Sequence, residues 1–332
     1  MKFPEFVFAT CRAGSEPSLK REVAARHGGW LTPAFMRPQL ITWKTRTESR
    51  ADFELEASFS AVSGWSVGMA PSITEVDSLV QTQDLDLAAI HVFPRCYGED
   101  ALPDEAWNEI DHVQAELARL VPLQPRGQHV LDVIIGAETE PWFIGFHRSG
   151  LAAHPSPGAL SRQKLPPEAP SRAWLKMEQS LAWLDLDSPG ALVGKTALEL
   201  GSAPGGASWA LLQRGMKVIG VDTGAMAPRV LSHPNYTHLP IPAGEVSRHD
   251  LPPQIDLLAS DMNLQPGLAI KYVERLAHLL HPRWFTLTLK INDSHVESQL
   301  PAFLQQLRRF APGETHARQL PANRREVTVI SR

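Results

Sequence analysis

Residues 196–222 read TALELGSAPGGASWALLQRGMKVIGVD. A short apolar run, TALEL, gives way to a loop containing Gly201, Pro204, Gly205 and Gly206. The next segment, GGASWALLQRG, has helical character and closes on Gly215, a helix-stopping residue. KVIGV is a second apolar run of strand length, ended by Asp222. Strand, tight turn, helix, strand is a βαβ unit, and such a unit needs parallel strands joined by a crossover helix. The pattern extends both ways. Upstream, SRAWLKMEQSLAWL (171–184) sets Trp174, Met177, Leu181 and Leu184 at helical spacing. Downstream, IDLLAS (255–260) and RWFTLTLK (283–290) read as strands, SHVESQLPAFLQQLRRF (294–310) as a helix, and THARQL and REVTVISR as two closing strands. This order predicts a doubly wound α/β domain over 161–332, its sheet made mixed by a final hairpin.

In open α/β sheets, ligands sit beyond the carboxyl ends of the strands, where glycines let the backbone come close. The loop Gly201, Ser202, Ala203, Pro204, Gly205 and Gly206 occupies such an end, and Glu199 precedes it. Asp222, at the end of the next strand, is placed to accept hydrogen bonds from ribose hydroxyls. The loop is neither G-x-G-x-x-G nor a Walker sequence, which argues against a dinucleotide or ATP phosphate. A nucleoside ligand fits better, and S-adenosylmethionine is the expected one. Four further charges fall at the same edge. Lys176 lies in the helix before the first strand, Asp261 follows IDLLAS, and Lys290 ends RWFTLTLK. Glu326 opens the last strand and joins them only if that strand runs antiparallel. Each alone reads as a solvated charge; the joint placement is the sharper signal.

The first half of the chain has a different character. FVFATC, the helical SEPSLKREVAARHGG, WLTPAFM and QLITWKT suggest a small α+β module. LDLAAIHVF, DEAWNEIDHVQAELARLV, HVLDVIIG and WFIGFHR suggest a second. Residues 151–170 hold five prolines and read as a linker or surface loop. The chain has 332 residues and a net charge of -4, unevenly spread. Residues 1–50 carry nine basic and four acidic side chains, 51–150 four and seventeen, and 151–332 nineteen and fifteen. A mildly acidic total therefore does not exclude nucleic acid, because phosphate contacts need only local clusters. The basic candidates are Lys20, Arg21, Arg26, Arg37, Lys44, Arg46, Arg162, Lys164, Arg172, Arg318, Arg324 and Arg325.

Taken together, GSAPGGASWALL, SRAWLKMEQSL, ASDM, LTLKI and RREVTVISR resemble the FtsJ-type ribose 2′-O-methyltransferases. With APSRAWLKMEQ at one end and ARQL…REVTV at the other, residues 167–332 most resemble the RlmM-like branch that acts on a cytidine of 23S rRNA. FVFATCRAGSEPSLKREV and the VSGWSVG region are more loosely similar to that branch's N-terminal modules. The resemblance implies a ferredoxin-like module over 1–68, a THUMP-like RNA-binding module over 69–160, and a Rossmann-like methyltransferase domain over 161–332. It implies a catalytic Lys176, Asp261, Lys290 and Glu326, with Lys290 as the base if burial brings its amine down. It also implies S-adenosylmethionine held by Glu199, the loop 201–206, Asp222 and Asp261, and RNA, specifically 23S rRNA, as partner. Two positions depart from the family: Glu199 stands where Asp is usual, and Ala207 where an aromatic often follows the glycine pair. No acid in YTHLPIPAGEVSRHD clearly matches the family's adenine contact, which leaves Asp250 as a weak candidate.

Other readings weigh less. GWSVG (64–68) spells a hydrolase nucleophile elbow, but MAPSITE follows it with a proline where a helix should begin. The thirteen histidines show no metal-ligand spacing, so no metal is expected. Cys11 and Cys96 make no disulfide framework. The absence of a long apolar run or a signal-like start predicts a cytoplasmic chain without membrane contact. The alternatives are the same chemistry on tRNA or a cap, or a non-catalytic RNA-binding protein that keeps the fold.

Overall fold

The computed structural model describes residues 4–46, 54–95, 102–137, 139–149, 156–184 and 189–332. Cys96 and residues 151–155 of the expected linker lie outside these. The chain divides into two compact units, 1–162 and 163–332.

The first unit runs β1 (Phe6–Thr10), α1 (Glu16–His27), β2 (Leu31–Arg37), β3 (Leu40–Thr45), β4 (Ser63–Ala70), α2 (Ile73–Gln81), β5 (Leu87–Pro94), α3 (Asp104–Leu120), β6 (His129–Ile135) and β7 (Trp142–Arg148). These strands form one seven-stranded sheet in the order β2-β3-β1-β4-β7-β6-β5. The boundary expected at residues 68/69 therefore falls inside β4. That strand pairs antiparallel with β1 on one side and β7 on the other, so the two expected modules share one sheet and one unit. Edge strands of separate modules would each expose unpaired backbone groups, and β4 removes both edges. Helices α2 and α3 cover one face, burying Val76, Val80, Ile110, Val113 and Leu117 against Ile90, Val92, Leu131 and Val133. The expected linker spans the boundary between the two units at 162/163, and its residues 158–160 pack inward. Ala159 is buried, Leu160 packs on the core, and Gly158 lies against the Phe93 ring. Ser66 of the GWSVG motif sits inside β4, mid-strand, which rules out a strand-to-helix elbow.

The second unit runs α4 (Ala173–Leu184), β8 (Thr196–Leu200), α5 (Gly206–Gln213), β9 (Lys217–Val221), α6 (Pro228–Leu231), β10 (Tyr236–Leu239), β11 (Leu257–Ser260), α7 (Pro266–Leu280), β12 (Trp284–Lys290), α8 (Ser294–Ser298), α9 (Leu300–Arg308), β13 (Thr315–Arg318) and β14 (Glu326–Ser331). Its sheet order is β10-β9-β8-β11-β12-β14-β13. The first five strands pair in parallel, while β14 runs antiparallel to both β12 and β13. Three elements, α6, β10 and α7, go beyond the sequence reading. Strand order reverses between β8 and β11, the switch point where α/β sheets open a ligand crevice. Strands β8, β11 and β12 are buried on both faces, as parallel strands covered by helices are.

Helices α4 and α5 approach closely where Gly206 begins α5. A methyl group there would lie 2.2 Å from Ser171 Oγ, 2.8 Å from Ser171 O and 3.1 Å from Trp174 N. Gly206→Ala is expected to destabilise the chain by about 1–3 kcal/mol, the usual range for overpacking, and to lower the urea midpoint; an unchanged midpoint would refute the tight α4–α5 contact.

Candidate active site

Four charged side chains converge at the carboxyl edge of the second sheet. Lys176 comes from α4, Asp261 follows β11, Lys290 ends β12 and Glu326 opens β14. The antiparallel register of β12 and β14 makes Lys290 and Glu326 direct cross-strand partners. Lys176 Nζ donates to Glu326 Oε1 at 2.7 Å and to Asp261 Oδ2 at 3.4 Å. Lys290 Nζ donates to the same Glu326 Oε1 at 2.6 Å and to Asp261 Oδ1 at 3.1 Å. Two ammonium groups and two carboxylates thus alternate around a ring, each side chain 11–18% exposed. Such a ring tolerates burial because every charge has two opposite neighbours; a lone buried charge would cost several kcal/mol.

The ring also overturns one sequence expectation. Burial acts to lower the Lys290 amine, but Asp261 and Glu326 outweigh it and hold that amine above the ordinary lysine value. Burial likewise acts to raise the Glu326 carboxyl, yet hydrogen bonds and charge from both lysines hold it low. Lys290 is therefore an ammonium in the resting protein. The second oxygen of Glu326, Oε2, is buried without a hydrogen-bond partner, leaving an acceptor for an incoming hydroxyl.

Beside the ring lies the glycine loop, ordered by the carboxylate of Asp222. Ala203 N donates to Asp222 Oδ2 at 3.0 Å and Gly224 N to Oδ1 at 2.7 Å. Gly201 N and Ser202 N both donate to Val221 O, and Pro204 has no N–H. The loop amides at 201–203 are thus spent on the protein itself, and the loop has no cationic side chain. With no cationic side chain in the loop, a phosphate would have only the amides that open α5 to bind, which makes a nucleoside the better-served ligand. Asp222 uses one lone pair on each oxygen and keeps others for ribose hydroxyls. Gly201, at φ +81°, adopts a left-handed conformation that side chains disfavour, and a methyl there would come within 3.0 Å of Met262. Gly205 is as closely packed, since a methyl there would come within 2.8 Å of Val230 and 3.1 Å of Met226. Asp222 makes the rim acidic, since the charge of Asp261 is answered by Lys176 and Lys290. Uncharged acceptors, a bare backbone and negative charge together fit a positively charged nucleoside such as S-adenosylmethionine.

Glu199 sits beneath this loop and is 1% exposed. Ser208 Oγ, on α5, donates to its Oε2 at 2.6 Å, while Oε1 is buried without a partner. Burial raises the carboxyl, Ser208 opposes that in part, and the charges of Asp261 and Asp222 add to it, leaving a value of about 8. Glu199 is therefore neutral at pH 7. It braces β8 against α5, and only Oε1 remains to meet a ligand. Ser208 had no distinguishing signal in the sequence, since its role depends on a helix turning back over the strand. Asp250 bonds to Ser247 at the start of a short 3-10 turn and is exposed, with no described contact to the loop or the ring.

Residues 169–299 match the family model described as FtsJ-like methyltransferase. The match covers most of the second unit. Ribosomal RNA large subunit methyltransferase M from Xylella fastidiosa is 30% identical over 232 residues, covering 64% of this chain and 60% of that protein. The protein of the same name from Methylococcus capsulatus is 35% identical over 180 residues, 52% of this chain and 50% of its own. The chain thus spans between half and three fifths of these relatives' length. A solved structure of TrmN from Thermus thermophilus aligns over 98% of this chain and 99% of its own at 15% identity, with a TM-score of 0.37, too slight an overlap to carry weight.

The neutral state of Glu199 has a measurable sign. Its folded value of about 8 lies above the ordinary 4.5, so folding favours the protonated form. That contribution is complete below about pH 4.5 and is lost as pH rises to about 8. Glu199→Gln should flatten the fall in the chain's urea midpoint between pH 5 and 8, and an unchanged slope would mean that Glu199 is ionised.

Proposed function

We propose that this chain is an S-adenosylmethionine-dependent RNA ribose 2′-O-methyltransferase acting on a cytidine of large-subunit ribosomal RNA, and so working in the cytoplasm. The observation that carries the reading is the closed ring of Lys176, Asp261, Lys290 and Glu326 beside a glycine loop without a cationic side chain. The relatives' names support the RNA substrate.

Residues Asp222, the loop 201–206 and Asp261 hold the cofactor, with Glu199 fixing the strand beneath. S-adenosylmethionine supplies a methyl group already activated by a sulfonium centre, so the protein's task is alignment and removal of one proton. Lys290 takes the 2′-hydroxyl proton at Nζ. It must first release to solvent the extra proton that Asp261 and Glu326 stabilise, and positive charge held at the rim by Asp222 opposes the ammonium and eases that loss. Glu326 Oε2 accepts from the ribose and fixes the angle of attack. Lys176 holds Glu326 in place and faces the nucleotide's phosphate. Exposed Arg172, one turn before Lys176, and exposed Arg324 and Arg325, just before Glu326, frame the site with positive charge. Phosphate contacts there position the chain without reading sequence.

The basic residues of the first unit contribute less. Arg26 pairs with Glu22 and Glu56, Arg37 with Glu140, Lys44 with Glu5, and Arg162 with Asp111, so their charge is largely answered within the protein.

Purified chain, tritiated S-adenosylmethionine and undermethylated large-subunit rRNA should give label in RNA, at a nucleotide whose 3′ linkage resists alkaline hydrolysis. Transfer to tRNA alone would sink the rRNA assignment, and binding of RNA without transfer to any would favour a non-catalytic module. Lys290→Ala is expected to lower kcat by about 10²–10⁴-fold, the usual worth of a positioned acid–base group, while cofactor affinity stays within a few-fold. Lys290→Arg should do the same, because guanidinium cannot serve as the base at these pH values. A Lys290→Arg protein that methylates at the parent rate would eliminate Lys290 as base.

A further inference from the structure

The sheet of the first unit buries a cluster that the proposed methyltransferase chemistry does not use. His91 lies on β5, Asp132 on β6 and His147 on β7, three neighbouring strands. His91 is the direct cross-strand partner of Asp132, and His147 pairs with Val130, two residues along β6. By strand alternation all three side chains lie on one face, opposite the face that Ile90, Val92, Leu131 and Val133 present to α2 and α3.

Asp132 is fully buried and His147 is 5% exposed. His147 Nδ1 and Asp132 Oδ2 are 2.6 Å apart. Asp132 Oδ1 and His91 Nδ1, by contrast, are buried with no hydrogen-bond partner. The imidazoles of His91 and His147 sit 5.7 Å apart, centre to centre. A buried carboxylate oxygen and a buried imidazole nitrogen, both unpaired and side by side, are costly in a protein interior. One cation between them answers both.

We propose that His91, Asp132 and His147 form a binding site for one divalent transition-metal ion, with zinc as the probe. One ligand atom from each residue lies within 4.8 Å of the others. Bonds of about 2.0–2.1 Å to a tetrahedral ion require these atoms to close to about 3.3 Å, a change that side-chain rotation supplies. Two imidazoles with one carboxylate suit zinc, iron or nickel and are a poor set for calcium or magnesium, which take oxygen cages. Three protein ligands leave a fourth position for water. The ion would clamp β5, β6 and β7 together at the end of the sheet away from β2. Sequence spacing gives no hint of this, because the ligands are 41 and 15 residues apart and meet only through strand pairing.

Full-length protein stripped with EDTA should take up one equivalent of zinc in competition with a chromophoric chelator, with micromolar or tighter affinity. Its melting temperature should rise by several degrees on loading, as expected when a ligand binds only the folded state. His91→Gln and His147→Gln should each weaken binding at least tenfold, while His129→Gln, outside the cluster, should not. Cobalt substitution of the wild-type chain reads the ligands independently of any variant's folding: nitrogen and oxygen ligation gives visible bands without the thiolate charge-transfer band that cysteine ligation produces. No stoichiometric uptake at 10-fold excess over micromolar zinc, a thiolate band, or unchanged affinity in both folded variants would overturn the proposal. In that case a trapped water bridging Asp132 and His91 is the remaining occupant.

Discussion

The arrangement of the candidate active site rests on one strand direction. Because β14 runs antiparallel to β12, its first residue lies at the edge where the parallel strands end, and Glu326 faces Lys290 across the ladder. Had β14 been parallel, Glu326 would sit at the far edge, and the two lysines would meet over Asp261 alone. With Glu326 present, a single oxygen accepts from both ammonium groups and the ring closes with no net charge. Neutrality explains how four ionised groups remain so little exposed, since desolvation is offset only when each charge has a close, well-directed partner.

The same neutrality sets a tension within the chemistry. The contacts that let Lys290 be buried also hold its proton, so the resting site is stable but unready. If Lys290 is the base, as proposed, its need for another positive charge nearby couples deprotonation to loading. The acidic rim at Asp222 is where that charge would collect. Glu199 fits the same logic from below: kept neutral by burial, it adds no third negative charge at pH 7 and leaves its strand free to pack against α5.

Much of the second unit was legible before any coordinates. Glycines at Gly201 and Gly205, an acid ending β9, and charged residues ending β11 and β12 are local features, visible because parallel strands buried on both faces leave few places for polar residues except their ends. The helix α7 and the strand β10 were less visible, the first because Pro266-Gly267 reads as a turn, the second because YTHL is short and half polar. In the first unit, local pattern placed most strands but misjudged their grouping. Nothing within Ser63–Ala70 announces that this strand pairs on both sides, and pairing joins what the sequence divides into two.

The amino-acid sequence by itself determined the βαβ order, the glycine loop, and which charged residues end each strand, since these follow from period, turn chemistry and length. Only the tertiary structure decided that Lys176 and Glu326 touch, that Ser208 bonds Glu199, that the first 162 residues share one sheet, and that His91, Asp132 and His147 converge. Each of these depends on strand direction or register between segments far apart in the chain. Hydrogen bonding between backbones sets that register, and a residue's neighbours along the sequence do not encode it.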